Sequence, residues 1–160
     1  MGLPRPVLLR RISKELKDCS SYLGSDFRFD PEQAEFPIRI DMHMSNVIGY
    51  DAPDHIITEH DFTIILTEEY GFKKPEVRWK SAIFHPNILP PEDGGYVCIK
   101  MLNEWTFETS LLNFLKGVET LVSEPNPLNP FATDTCLAAA DYFMHNGSKF
   151  NAHIEYGAGN

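Results

Sequence analysis

With 160 residues, 42% hydrophobic and 23% charged, the chain can bury a core of its own without disulfides or a structural metal. A formal net charge of −9 makes generic nucleic-acid binding a poor default, and no run of 18 apolar residues offers a membrane span. Three cysteines (Cys19, Cys98 and Cys136), odd in number and far apart, argue against a disulfide framework and for a reducing compartment such as the cytoplasm; no CxxC or HxxxH spacing suggests zinc.

The opening, MGLPRPVLLRR, has too short an apolar run for a secretory signal and is expected to be mature sequence. Pro6 breaks the myristoylation pattern that Gly2 could begin. From Leu9 the apolar positions Leu9, Ile12, Leu16, Cys19 and Leu23 step by 3, 4, 3 and 4, one face of an α-helix. Pro4 and Pro6 suit its start and Gly24 its end, and Cys19 falls on the core face. Arg5, Arg10, Arg11, Lys14 and Lys17 against Glu15 and Asp18 give residues 1–20 a net charge of +3, leaving −12 on the remaining 140. A basic helix on an acidic body either solubilises or docks an acidic partner.

Residues 25–35 read as a loop. Strands are expected at Phe36–Met44, where PIRIDMHM alternates, and at Val47–Tyr50, Phe62–Leu66 and Glu76–Trp79, with Asp51–His60 as a polar connection. Strands this close, with no helix between them, predict an antiparallel meander. Ser81–Thr109 loses periodicity under prolines and glycines, and such a stretch in a compact domain is often functional. A helix capped by Thr109 or Ser110 runs to about Ser123 and is stopped by EPNPLNP. Another starts near Phe131 to Thr133 and closes near Gly147, and a last short helix could span Ser148–Glu155. The order predicts a single α+β domain over residues 1–160.

His85 and Cys98 lie thirteen positions apart in the irregular stretch, in FHPNILPPEDGGYVCIK. The residues leave three chemistries for Cys98. A protease-like pair would need His85 beside the thiol as a base, but no protease signature accompanies it. A structural cysteine would fit the small apolar run Tyr96–Ile99. A thiol carrying an acyl group as a thioester would need an oxyanion donor, for which the Asn87 amide qualifies, and no strong base that activates water.

Six motifs in order decide how these residues are grouped: LRRISKEL at 9–16, YGFKKPEV at 70–77, FHPNI at 84–88, VCI at 97–99 with Trp105 after it, EPNP at 124–127 and SKFN at 148–151. Together they resemble the ubiquitin-conjugating enzyme family over nearly the whole chain. The resemblance implies the UBC fold: an N-terminal helix, a four-stranded antiparallel meander, a long active-site loop and two or three C-terminal helices. It implies that Cys98 takes a ubiquitin or ubiquitin-like C-terminus from an activating enzyme as a thioester and passes it to a substrate lysine, with a RING-type ligase. Asn87 would stabilise the oxyanion or hold the loop, and Asn129 stands where the family guards the acceptor lysine. His85 and Pro86 would be structural. Arg10, Arg11 and Lys14 would face the activating enzyme, and Arg11, Phe72 and Phe107 the ligase. No metal or cofactor is implied, since ATP is used by the activating enzyme upstream. An inactive UBC-fold module that only binds ubiquitin-like proteins is the alternative, and such variants usually lack the cysteine.

Five departures from the family pattern stand out, the first being that residues 45–60 lack its usual Pro-rich, Gly-Gly segment between strands. Leu89–Gly95 lengthens the His-to-Cys interval, which would border the active site. Gly71 replaces a proline, which would loosen that turn. Lys100 replaces an Asp and would favour the Cys98 thiolate. Asn129 replaces an Asp or Ser and cannot offset an amine's charge as a carboxylate would.

Overall fold

The computed structural model describes residues 2–98, 102 and 104–146. Helix α1 spans Arg5–Leu23. Pro6 lies in its first turn, where a missing N–H goes unneeded, and Gly24 closes it at φ 68°, its N–H reaching the Ser20 carbonyl at 2.8 Å. The buried face carries Leu8, Leu9, Ile12, Leu16 and Cys19, as the spacing predicts, and also Glu15. Burial, with Glu15 and Asp18 nearby, pushes the Cys19 thiol up to about 12.

Among the described residues five strands follow: β1 (Ile38–Met44), β2 (Gly49–Ala52), β3 (His55–Ile57), β4 (His60–Leu66) and β5 (Glu76–Trp79). β1 alternates buried and exposed along its whole length, so one face of the sheet is wet. It pairs antiparallel with β4 from Ile38↔Leu66 to Met44↔His60, and β4 pairs with β5. The sheet is antiparallel, as expected, but its strands divide differently. β1, β4 and β5 form one three-stranded sheet, and β2 with β3 forms a separate hairpin.

That hairpin lies where the sequence reads as a polar connection. Its turn is Pro53–Asp54, with Asp54 at φ 59°, a conformation Asp tolerates. What fixes it is distant in sequence: the Tyr142 hydroxyl accepts the Asp54 N–H at 3.1 Å and donates to the Asp54 carboxylate at 2.7 Å. Tyr50 packs beside it with Phe84, Ala139 and Phe143.

Helix α2 spans Leu111–Ser123 and helix α3 Asp134–His145. The Ser110 hydroxyl caps α2 by accepting the Asn113 N–H, and Thr133 caps α3 by accepting that of Cys136. The expected helix at 148–155 lies outside the described residues. The main core joins α1, the inner sheet face and α2 through Ile12, Leu16, Met42, Phe62, Ile64, Leu115 and Val118. No described helix is long and apolar enough to cross a membrane.

Candidate active site

Among the described residues between β5 and α2 there is little regular structure, yet the buried polar side chains of His85 and Asn87 are paired. His85 is buried beneath α2. Its Nδ1 accepts the Asn87 N–H at 2.9 Å, which places the proton on Nε2, and Nε2 donates to the Leu121 carbonyl at 2.7 Å. Burial pushes His85 down to about 4, against the pull of the Leu121 carbonyl and with a further push from His60. A neutral imidazole with both nitrogens occupied offers no base to Cys98.

Asn87 is fully buried and wholly engaged. Its Nδ2 donates to the carbonyls of Asn126 at 3.1 Å and Asn129 at 3.0 Å, and its Oδ1 accepts the Asn126 N–H at 2.8 Å. Its own carbonyl accepts the Cys98 N–H at 2.8 Å, and next to it the Pro86 carbonyl accepts the Phe131 N–H at 3.0 Å. The HPN segment therefore stitches three pieces together: α2 through His85, the 124–131 turn through Pro86 and Asn87, and Cys98 through the Asn87 main chain. Asn129 is exposed on the outside of that turn.

Cys98 differs from the other two cysteines. Cys19 and Cys136 are buried, and Cys98 is partly open. Burial raises the Cys136 thiol, which lies 3.6 Å from the Ile88 carbonyl. Among the described residues no group of three or more His, Cys, Asp or Glu side chains could hold a metal ion. Lys100 lies outside the described residues.

The lengthened His-to-Cys interval does not frame the thiol. Ile88 bridges Val97, and the Leu89 N–H reaches the Tyr96 carbonyl at 2.8 Å, so the segment is a narrow hairpin with Asn87 and Cys98 at its open end. The extra residues form the far end: a 3-10 turn at Pro91–Asp93 followed by Gly94 and Gly95. That end is tied to β5. The Trp79 N–H donates to the Gly95 carbonyl at 2.7 Å, and the Arg78 guanidinium lies 4.0 Å over the Tyr96 ring.

A second constellation joins α1 to two loops. The Glu15 carboxylate accepts the Tyr70 hydroxyl at 2.8 Å, the Leu111 N–H at 3.3 Å and Arg11 Nε at 3.3 Å. Arg11 also donates to the Thr109 carbonyl at 3.0 Å, and its guanidinium lies 4.7 Å over Phe107. Phe107 meets Phe72 with ring centroids 4.8 Å apart, and both are exposed, at 42% and 54%. The structure thus brings Arg11, Phe72 and Phe107 together, while Arg10 and Lys14 stand in solvent on α1. Gly71 is not a loosened proline site. It sits at φ 104°, closed to proline, and its carbonyl takes the Trp105 indole N–H at 2.9 Å.

Two members of these networks lie inside the motifs LRRISKEL and EPNP but received no role from them, Glu15 and Asn126. Glu15 follows Ile12 by three and precedes Cys19 by four, which puts it on the apolar stripe. Asn126 stands before a proline, as does Asn129, and both are thereby biased to extended backbone.

Residues 11–157 match the family described as Ubiquitin-conjugating enzyme. The chain belongs to the ubiquitin-conjugating enzyme family. It is 35% identical over 75 residues to the SUMO-conjugating enzyme SCE1 of Arabidopsis thaliana, covering 45% of each chain. It is 28% identical over 88 residues to ubiquitin conjugating enzyme E2 B of Dictyostelium discoideum, covering 55% of each. The matched stretch spans about half the length of these curated relatives. Across 92% of this chain and 94% of the other, the fold superposes on the E2 domain of a Toxoplasma gondii ubiquitin conjugating enzyme with a TM-score of 0.63 at 19% identity.

Proposed function

We propose that the chain carries a ubiquitin or ubiquitin-like C-terminus as a thioester on Cys98 and transfers it to a lysine. The observation that carries this reading is the contrast among the thiols: two are buried, and the third is partly open at the mouth of a hairpin whose neighbouring histidine is not available as a base. In the first step the Cys98 thiolate attacks the thioester carbonyl on the activating enzyme, and that enzyme's thiolate leaves. In the second, a lysine amine attacks the Cys98 thioester, the Cys98 thiolate leaves, and the amine proton passes to solvent. Thiol-for-thiol exchange asks for positioning and oxyanion stabilisation more than for proton transfer. A site without a strong base also spares the thioester from hydrolysis.

Arg10 and Lys14, exposed on α1, fit an acidic face of the activating enzyme, and Arg11 acts from behind. Phe72 and Phe107 form the apolar contact for a RING-type ligase, with Arg11 holding Phe107 in place. Asn129 meets the incoming amine as a neutral hydrogen-bonding group. The domain needs no cofactor of its own, because adenylation belongs to the upstream enzyme. Its open thiol suits the reducing cytoplasm.

The test is a charging assay with ATP and either ubiquitin or SUMO, each with its own activating enzyme, run on non-reducing gels. A thiol-sensitive adduct is expected, lost in Cys98→Ala and turned into a stable oxyester in Cys98→Ser. No adduct with either pair, together with a Cys98 inert to alkylation, would favour a binding module of the same fold.

A further inference from the structure

The Asn87 amide cannot donate to an oxyanion as it stands, because both Nδ2 hydrogens are spent on the carbonyls of Asn126 and Asn129. One bond has to open before either hydrogen can reach a reacting carbonyl. The two bonds are not equivalent. Asn126 grips the amide at both ends, giving its N–H to Oδ1 at 2.8 Å and taking Nδ2 on its carbonyl at 3.1 Å. Asn129 holds it by one bond and is exposed.

Asn126 is itself tightly set. Pro125 and Pro127 flank it, and the second keeps it out of helical backbone. Its side-chain Oδ1 accepts the Leu128 N–H at 3.0 Å, closing a turn of the kind Asn makes two residues ahead. Its carbonyl also receives the Asn129 N–H at 3.5 Å. The side chain of Asn126 therefore shapes the turn that aims its main-chain groups at Asn87.

We propose that Asn126 is a positioning residue for Asn87: it holds the amide plane fixed while the N–H now given to Asn129 is released toward the oxyanion. The proposal rests on the thioester reading above. It makes the Asn126 side chain, which closes the turn on the Leu128 N–H, a determinant of acyl transfer.

The experiment charges the protein with ubiquitin or SUMO, quenches the activating enzyme, and follows single-turnover discharge to free lysine. For Asn126→Ala, discharge is expected to fall about fivefold more than charging does, the size of one lost hydrogen bond. Asn126→Asp keeps the acceptor that closes the turn and is expected to recover most of the rate. The double variant Asn87→Ala/Asn126→Ala is expected to discharge no more slowly than Asn87→Ala, because both act through one group. Wild-type discharge by Asn126→Ala, no recovery in Asn126→Asp, or multiplying losses in the double variant would each overturn the proposal. Failure of the wild-type protein to charge would instead overturn the thioester reading, and this proposal with it.

Discussion

His85 Nε2 lies 2.7 Å from the carbonyl oxygen of Leu121, so the loop that holds Cys98 hangs from the third turn of α2 by a neutral imidazole. Protonating His85 would place a hydrogen on Nδ1, facing the Asn87 N–H, and the loop would lose that bond. The folded state holds His85 near 4, below its ordinary 6.5. The unfolded chain thus binds the extra proton first as pH falls. The stability that His85 contributes is complete above pH 6.5 and is lost progressively down through pH 4, with roughly 3 kcal/mol as the ceiling. Buried His60, pushed down by desolvation, acts in the same direction. Urea titrations at pH 7 and pH 5 are expected to show lower stability at pH 5, with a smaller difference in His85→Gln. An equal pH dependence in that variant would place the effect elsewhere.

The three thiols are expected to react in two groups. In native buffer a small alkylator should modify Cys98 alone, and Cys19 and Cys136 should react only when the chain unfolds. Mass spectrometry of peptides after a timed exposure to iodoacetamide reads this directly. Labelling of Cys19 at the rate of Cys98 would contradict its burial on α1.

Glu15 is a buried carboxylate with three donors, and it ties α1 to both Tyr70 and the start of α2. Glu15→Ala strands the Tyr70 hydroxyl and the Leu111 N–H and leaves Arg11 without its carboxylate. A loss of about 3 kcal/mol is expected from such a broken buried pair. Glu15→Gln, which keeps one acceptor oxygen, should lose less. Equilibrium unfolding in urea measures both, and equal losses would mean that charge alone matters at this position.

Two glycines with positive φ should differ in their tolerance of alanine. At Gly24, φ is 68° and the space around the missing Cβ is open, so Gly24→Ala meets only backbone strain of about 1 kcal/mol. At Gly95, φ is 69° and a Cβ would come within 2.5 Å of the Trp79 carbonyl oxygen. Gly95→Ala should therefore cost clearly more, since the hairpin must leave β5 to relieve the contact. Thermal melts of the two variants side by side give the comparison, and matching shifts would argue that the hairpin end is loosely held.

Much of the fold could be read from periodicity and punctuation. The 3–4 spacing with Pro6 and Gly24 delimits α1, the alternation of PIRIDMHM gives β1, and Ser110 and Thr133 mark where α2 and α3 begin. The β2–β3 hairpin was hidden because Asp51–His60 is polar, and its partner, Tyr142, lies 88 residues further on. Leu89–Gly95 misled for a related reason. Length in a loop says nothing of direction, and it is pairing with Trp79 and Arg78 that carries this one away from Cys98. At the site, the motif residues were visible as a set, but their division of labour was not. That the Asn87 side chain faces main-chain carbonyls some forty residues ahead follows from the turn at Pro125–Pro130, which only the folded chain reveals.

The hairpin end at Pro91–Asp93 has a consequence for how such a protein can diversify. These residues are exposed, two rungs of pairing separate them from the thiol, and Gly95 anchors the ribbon behind them. Lengthening a surface loop is inexpensive, about 0.6 kcal/mol for each doubling. New sequence can therefore be grafted between Pro91 and Gly94 while the chemistry at the other end stays in register. The same position gives an engineer a place to insert a reporter tag or a recognition peptide without retuning the reaction.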